Sequence, residues 1–438
     1  MMSILDLREK DYSASQLAQK LPRASLDIDG ALKHVAPIIE DVRAHGGAAI
    51  RRWTRKFDLV DPKTIRVPAS ALKEALEGLD PQVREGLEIS IRNNRLGHEA
   101  QLPQERVVEI VPGGFVRQRW IPARRVGLYV PGGLAVYPSS VVMNVVAAKV
   151  AGVESIAVAS PAQKEFGGLP HPTILAACEL LGVDEVYSMG GAQAIAGFAF
   201  GFTDEADAAN PCEPVDVVTG PGNIFVAAAK RAVKSVVGID AEAGTTEIAI
   251  IADEEANPRF VARDLISQAE HDPAAASVLI THSEQLVAAV EGVIEEMARA
   301  TKHSERIRAA LSGPQSGIVL TRDLAQSVFV ANTYAAEHLE IQTKDAAGVA
   351  KQIRNAGAIF VGPYSPVPLG DYVAGSNHVL PTGGTARFAS GLNVHAYLKS
   401  VQEIEYSREA LAGLTPALVA LANSEDLPAH GEAATERA

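Results

Sequence analysis

Only two cysteines, Cys178 and Cys212, occur in 438 residues. They form neither the framework of a disulfide-stapled domain nor the CxxC spacing of zinc or redox sites. Basic residues are in deficit as well. Lys and Arg number 40 against 53 Asp and Glu, a net charge of −13, which argues against nucleic-acid and anionic-membrane partners. The most hydrophobic tract, around Val141–Val153, is broken by Asn144 and Lys149 and is too short to span a bilayer. The opening MMSILDLREKD is charged early and has no apolar h-region, so a secretory signal is not expected and the cytoplasm is the expected compartment. No GxGxxG occurs, which removes the usual sequence support for a dinucleotide site.

Against these absences stands an ordinary globular composition, 47% hydrophobic and 21% charged, in a chain too long for one core. From Leu26 to Leu102 the pattern is helical. Ile28, Leu32, Val35, Ile38, Ile39 and Val42 form one stripe that Gly46-Gly47 stops, and Asp80-Pro81 reads as an N-cap followed by proline. VVEIVPGGFVRQRW reads as a hairpin. Short β-rich runs then alternate with helical patterns. RVGLYV (125–130), SIAVAS (155–160), EVYSMG (185–190) and VDVVTG (215–220) are separated by helices at 139–151, 171–182 and 191–201. TEIAIIAD (246–253), SVLITH (277–282), GIVLTR (317–322), LEIQT (339–343) and AIFVG (358–362) repeat the alternation. Such alternation means parallel sheets covered on both faces, here as two units in tandem without a residue-level repeat. After Gly362 the periodicity fails. The long loop keeps Tyr364, Tyr372, Val379, Leu380 and Phe388, more apolar material than a solvated linker carries. A small strand–helix unit and a polar tail end the chain.

Within this frame, several residues are candidates for chemistry. DLISQAEHDP (264–273) looks like the end of an amphipathic helix whose apolar face runs from Phe260 and Val261. Gln268 and His271, three apart, share a face just before Asp272-Pro273 stops the helix. A solvated pair is the plain alternative. In AEHLE (336–340), Glu337 and His338 can each relay a proton near neutral pH, although they stand at the amino end of a strand and ligands usually collect at the carboxyl end. GDYVAGSNH (370–378) offers Asp371 and His378, otherwise an N-cap and a surface imidazole. His430, in LPAH near the terminus, would ordinarily be disordered. TGPGN (219–223) closes a strand and opens a helix, where glycines admit close backbone approach and the helix start favours an anion such as a dinucleotide phosphate.

Taken in order, VGLYVPGG, MGGAQAIA, TGPGN, DLISQAEHD, AEHLEIQT, GDYVAGSNHVLPT, SGLNV and the closing EDLPAH resemble the histidinol dehydrogenase family over nearly the whole chain. The resemblance implies a zinc-containing, NAD-dependent homodimer that oxidises L-histidinol to L-histidinaldehyde and then to L-histidine, the last steps of histidine biosynthesis. It implies one zinc per subunit on Gln268, His271, Asp371 and His430, the metal serving mainly as a template for the substrate's nitrogens. An amide lies outside the usual zinc ligands, so Gln268 rests on the resemblance alone. By the same resemblance Glu337 and His338 are the acid/base pair. Thr246, His378 and Glu425 match substrate-contacting positions, as do the metal ligands and His338, and Tyr129, Gln193 and Asn223 match NAD-contacting ones.

The implied fold is α/β: two tandem Rossmann-like parallel-sheet domains with small terminal segments in an intertwined homodimer. Residues 1–25 are expected as an N-terminal arm. Residues 26–125 and 246–390 are expected as a first domain with the zinc and acid/base groups, 126–245 as the NAD-side domain, and 391–438 as a dimerisation segment that completes the partner's site. Two departures from the family pattern stand out. Thr245-Thr246 replaces a common Pro-Ser or Pro-Thr, and LKSVQEIEYS (398–407) is looser than the usual basic stretch. Rival readings are a zinc/NAD paralogue acting on another small alcohol such as a sulfonated diol, a zinc hydrolase using Glu337 without NAD, and a non-catalytic binding protein. Retention of Glu425 and His378 argues against the paralogue, the tandem parallel units and GPGN turn argue against the hydrolase, and the complete constellation argues against the last.

Overall fold

A computed structural model of the chain describes residues 2–24, 27–132, 136–242 and 244–438. The expected arm–domain boundary at 25/26 and Gly133, the last residue of VGLYVPGG, lie outside the described residues. The N-terminal arm contributes a strand absent from the sequence reading, β1 (Ser3–Asp6), and a short helix, Ala14–Ala18, with a Ser13–Gln16 capping box. The apolar stripe begun at Ile28 builds the helix Ile28–Phe57, which breaks at Gly46, where φ is +49°. Helices Ala69–Glu77 and Pro81–Glu99 follow, the latter capped by the Asp80 carboxylate. β2 (Arg106–Val111) and β3 (Gly114–Pro122) form the hairpin.

Five parallel strands come next: β4 (Arg125–Tyr129), β5 (Ser155–Ser160), β6 (Val186–Ser188), β7 (Val217–Thr219) and β8 (Gly238–Ile239), in the order β6-β5-β4-β7-β8. A second five follow: β9 (Glu247–Ala252), β10 (Ala276–Thr281), β11 (Gly317–Leu320), β12 (His338–Gln342) and β13 (Ala358–Val361). Their sheet runs β1-β11-β10-β9-β12-β13, so β1 extends the edge beside β11. Each run of five, counted from its own first strand, is ordered 3-2-1-4-5. Continuous apolar segments such as EIAIIA in β9 are buried on both faces, as helix-covered parallel sheets require. The last strand, β14 (Leu398–Tyr406), pairs antiparallel with β3, and helices Arg408–Ser424 and Pro428–Thr435 end the chain. Among the described residues no helix is long and apolar enough to cross a membrane.

Besides β1, the edge strand β8 is absent from the sequence reading, and three further features differ. The helices between residues 28 and 99 pack on the β4–β8 unit, not with the β9–β13 sheet: Val35, Ile38 and Ile50 share a core with Tyr187, Phe198 and Val226, while Leu72 and Leu87 share one with Leu128 and Val146. The apolar face of Pro258–Ala269 excludes Phe260, which is exposed, and the helix ends at Ala269, before Asp272-Pro273. In the loop after Gly362, Val379 and Leu380 are buried, but Tyr364 (86% exposed), Tyr372 and Phe388 (78%) lie open.

Candidate active site between two facing sheets

The carboxyl ends of β4 and β7 face the amino ends of β9 and β12 across a cleft of about 660 Å³. Tyr129 ends β4, and the Gly220–Asn223 turn follows β7. Gly220 adopts φ +122°, and a Cβ there would lie 2.0 Å from the Tyr129 carbonyl oxygen, so only glycine fits. Asn223 caps the helix Ile224–Val233, its Oδ1 accepting from the Phe225 and Val226 N–H groups at 3.0 and 3.2 Å. The anion-favouring helix start thus opens on the cleft. Gln193, in the first turn of the helix Gly191–Phe200, does not line the cleft and is buried with Oε1 unpaired. The Gly191 N–H of that turn donates to the Tyr129 hydroxyl at 3.2 Å.

Across the cleft the groups are connected. Gln268 Nε2 donates to Thr246 Oγ1 at 2.7 Å, and Thr246 Oγ1 donates to Glu337 Oε2 at 2.6 Å. The same carboxylate oxygen accepts the Glu247 N–H at 2.9 Å. A hydroxyl that donates to a carboxylate must receive from the amide nitrogen, so the hydrogen bonds orient Gln268 and leave its buried Oε1 without a partner. His338 places Nδ1 3.6 Å from Glu337 Oε2 and Nε2 3.9 Å from Asp371 Oδ1. Asp371 lies on the short helix Val367–Tyr372, and its backbone carbonyl meets His378 Nδ1 at 3.0 Å. His378 Nε2 meets Ser140 Oγ at 2.9 Å. Ser140 was not singled out from sequence. The signal for it is its place in the first turn of the helix Pro138–Ala151, which follows β4 at the carboxyl end of the sheet.

Burial sets the protonation states. It raises Glu337 to about 7, against the hydrogen bonds from Thr246 and the Glu247 N–H that favour the anion. It holds His338 below its ordinary value and takes His271 and His378 down to about 4, so these imidazoles are neutral at pH 7. Asp371 rises to about 6 through burial, opposed by His338. A carboxyl poised near 7 beside a neutral imidazole is an acid/base pair ready in both directions.

Of the sequence candidates, Thr246, His271, Glu337, His338, Asp371, His378, Tyr129 and Asn223 line the one cleft, and Gln268 reaches it through Thr246. Glu425 and His430 do not. Both are exposed, at and beyond the end of the helix Arg408–Ser424. Among the described residues no three His, Cys, Asp or Glu side chains stand together in a way that could hold a metal ion. The chain's own donors are the unpaired Gln268 Oε1, the neutral His271 imidazole and the Asp371 carboxylate. The imidazole and the carboxylate are of the kind zinc takes, and the unpaired amide oxygen is a further free acceptor, three residues before the imidazole in sequence.

Parallel α/β units that bring a proton-relay pair against an anion-favouring turn suit an enzyme that moves protons beside a bound anion. The chain matches the family model described as histidinol dehydrogenase over residues 21–438. It is 57% identical over 433 residues to the histidinol dehydrogenase of Nocardia farcinica, covering 99% of this chain and 97% of that one, and 60% identical over 417 residues to that of Thermobifida fusca, covering 95% and 94%. The crystal structure of histidinol dehydrogenase from Elizabethkingia anophelis superposes with a TM-score of 0.90 at 28% identity, over 100% of this chain and 98% of that one. The chain belongs to the histidinol dehydrogenase family of oxidoreductases.

Proposed function

We propose that the chain oxidises L-histidinol through L-histidinaldehyde to L-histidine in the cytoplasm, as a homodimer with one zinc and an NAD site in each subunit and no nucleic-acid or membrane partner. The two 3-2-1-4-5 units are read as Rossmann-like halves. NAD bound in its site would supply the hydride acceptor for both oxidations, and zinc would supply a template for the substrate's imidazole and amino nitrogens. Gln268, His271 and Asp371 would hold the metal together with His430 of a second copy. Tyr129, Gln193 and the Asn223 turn would receive NAD.

The observation that carries the reading is the buried Glu337–His338 pair. A neutral His338 accepts the substrate's hydroxyl proton as the alcohol is oxidised. Glu337, ionised near pH 7, then takes a proton from water as that water attacks the aldehyde, and the resulting hydrate gives up the second hydride. Thr246 holds Glu337 in place, and His378 is available to orient the substrate from the Ser140 side.

The test is NADH absorbance on adding L-histidinol. The reading expects two NADH per histidinol consumed; one or none overturns it. A shared site is tested by mixing inactive His338→Ala and His430→Ala chains, dissociating and reassociating them. If His430 and Glu425 serve the partner's cleft, about a quarter of all sites become intact under random pairing. No recovery despite proven exchange overturns the shared site.

A further inference from the structure

Behind the cleft, away from its lining, two carboxyl groups meet in the protein interior. Asp264 is 8% exposed and Glu340 1%. They are hydrogen-bonded to each other, and Gln342 Nε2 donates to both, at 3.0 Å to Asp264 Oδ2 and 3.1 Å to Glu340 Oε2. The Val367 N–H donates to the other Glu340 oxygen at 2.9 Å. Two bare carboxylates in contact would repel strongly at this depth, so the pair keeps one proton between them; burial raises both groups, and the Asp264 charge raises Glu340 further.

The attachment points are the three elements that carry the reacting side of the site. Asp264 lies one helical turn before Gln268 on the helix Pro258–Ala269, which leads directly into His271. Glu340 is two residues from His338 on the same face of β12. Val367 opens the short helix that bears Asp371. That helix also rests on the Phe360 ring, where a Cβ at Gly370 would come within 2.6 Å. No other group among those described joins all three elements by side-chain hydrogen bonds.

We propose that Asp264 and Glu340 are positioning residues: their carboxyl–carboxylate hydrogen bond, braced by Gln342 and the Val367 N–H, sets the register in which Gln268, His271, His338 and Asp371 converge. This rests on the dehydrogenase reading, which wild-type turnover of L-histidinol tests by itself; the ratio of variant to wild type tests the pair.

Three variants decide it: Asp264→Asn, Asp264→Ala and Glu340→Asp. Asparagine donates Nδ2–H to the Glu340 carboxylate and accepts from Gln342, so Asp264→Asn keeps kcat within about threefold of wild type. Asp264→Ala removes the link, and Glu340→Asp withdraws the carboxyl by one methylene while leaving it buried. Misplacement on the ~1 Å scale lowers kcat by about tenfold to a hundredfold per folded chain. In both, KM for NAD stays within about twofold, because the turn proposed to receive NAD belongs to the other sheet. Wild-type kcat in Asp264→Ala or Glu340→Asp, whatever the change in Tm, overturns the proposal. So do equal losses in the Asn and Ala variants, or a KM for NAD that rises as kcat falls. If Asp264→Ala does not fold, Glu340→Asp against Asp264→Asn carries the same comparison.

Discussion

In the β4–β8 unit, Tyr129 and the Gly220–Asn223 turn reach the cleft from the carboxyl ends of β4 and β7. In the β9–β13 unit, Thr246, Glu337 and His338 reach it from the amino ends of β9 and β12. Strand order is the same in both, and the cleft lies at the same place in that order, between first and fourth strands. What each end offers is different. Carboxyl ends lead into glycine turns and helix starts, whose free N–H groups suit an anionic ligand. Among the described residues, that side lines the cleft with tyrosines, serines, Asn223, prolines and glycines but no carboxylate or imidazole. Every such group in the lining comes from the other side, where strand starts hold Glu337 and His338 buried and Glu337 accepts from Thr246 and the Glu247 N–H of the neighbouring strand. On the proposed function, one unit binds and the other moves protons.

Breaking the reacting side should have the largest effect. His271→Ala or Asp371→Ala should lose bound zinc together with activity, since the remaining ligands hold a tetrahedral ion poorly. Metal analysis beside turnover checks this, and full activity in a zinc-free His271→Ala preparation would sink the ligand assignment. Glu337→Gln should be selective. The step that needs water activation falls by about 10² to 10⁴, while alcohol oxidation keeps its imidazole. Supplying histidinol and histidinaldehyde separately reads the split; equal slowing of both reverses the division of labour between Glu337 and His338.

On the binding side the expected change is smaller and of another kind. Gly220→Ala forces a Cβ against the Tyr129 carbonyl and displaces the turn, so KM for NAD rises by about tenfold, roughly 1.4 kcal/mol, with kcat at saturation largely kept. A fall in kcat at unchanged KM would erase the distinction between the two sides. A separate effect is on stability, read against pH. Glu337 stands at about 7 when folded against an ordinary 4.5, so the native state holds the proton longer than the unfolded one. Its contribution is fully present below pH 4.5 and is lost as pH rises through 7. Activity runs the opposite way, because the base works only when ionised. Wild-type unfolding midpoints across pH 4.5–7.5, compared with Glu337→Gln, isolate that contribution; a wild-type enzyme that gains stability relative to the variant as pH rises would contradict it.

The sequence by itself determined nine of the ten strands of the two parallel units, all but β8, and the β2–β3 hairpin, because apolar periodicity and turn chemistry are local. EIAIIA is a buried strand whatever it packs against, and Gly220 is needed wherever a chain must turn with φ near +122°. Only tertiary structure decided which ends face the cleft. It brought Gln268 to Thr246 and Thr246 to Glu337, and it sent the helices between residues 28 and 99 to the β4–β8 unit. It also joined β1 to β11, with Ser3 beside Gly317, and β14 to β3, pairings between strand edges that no local pattern encodes. The Asp264–Glu340 pair was hidden for the same reason. A lone Asp on a helix and a Glu on a strand look like solvated groups until the fold buries them against each other, and it is the loss of water that turns two ordinary acids into one shared proton.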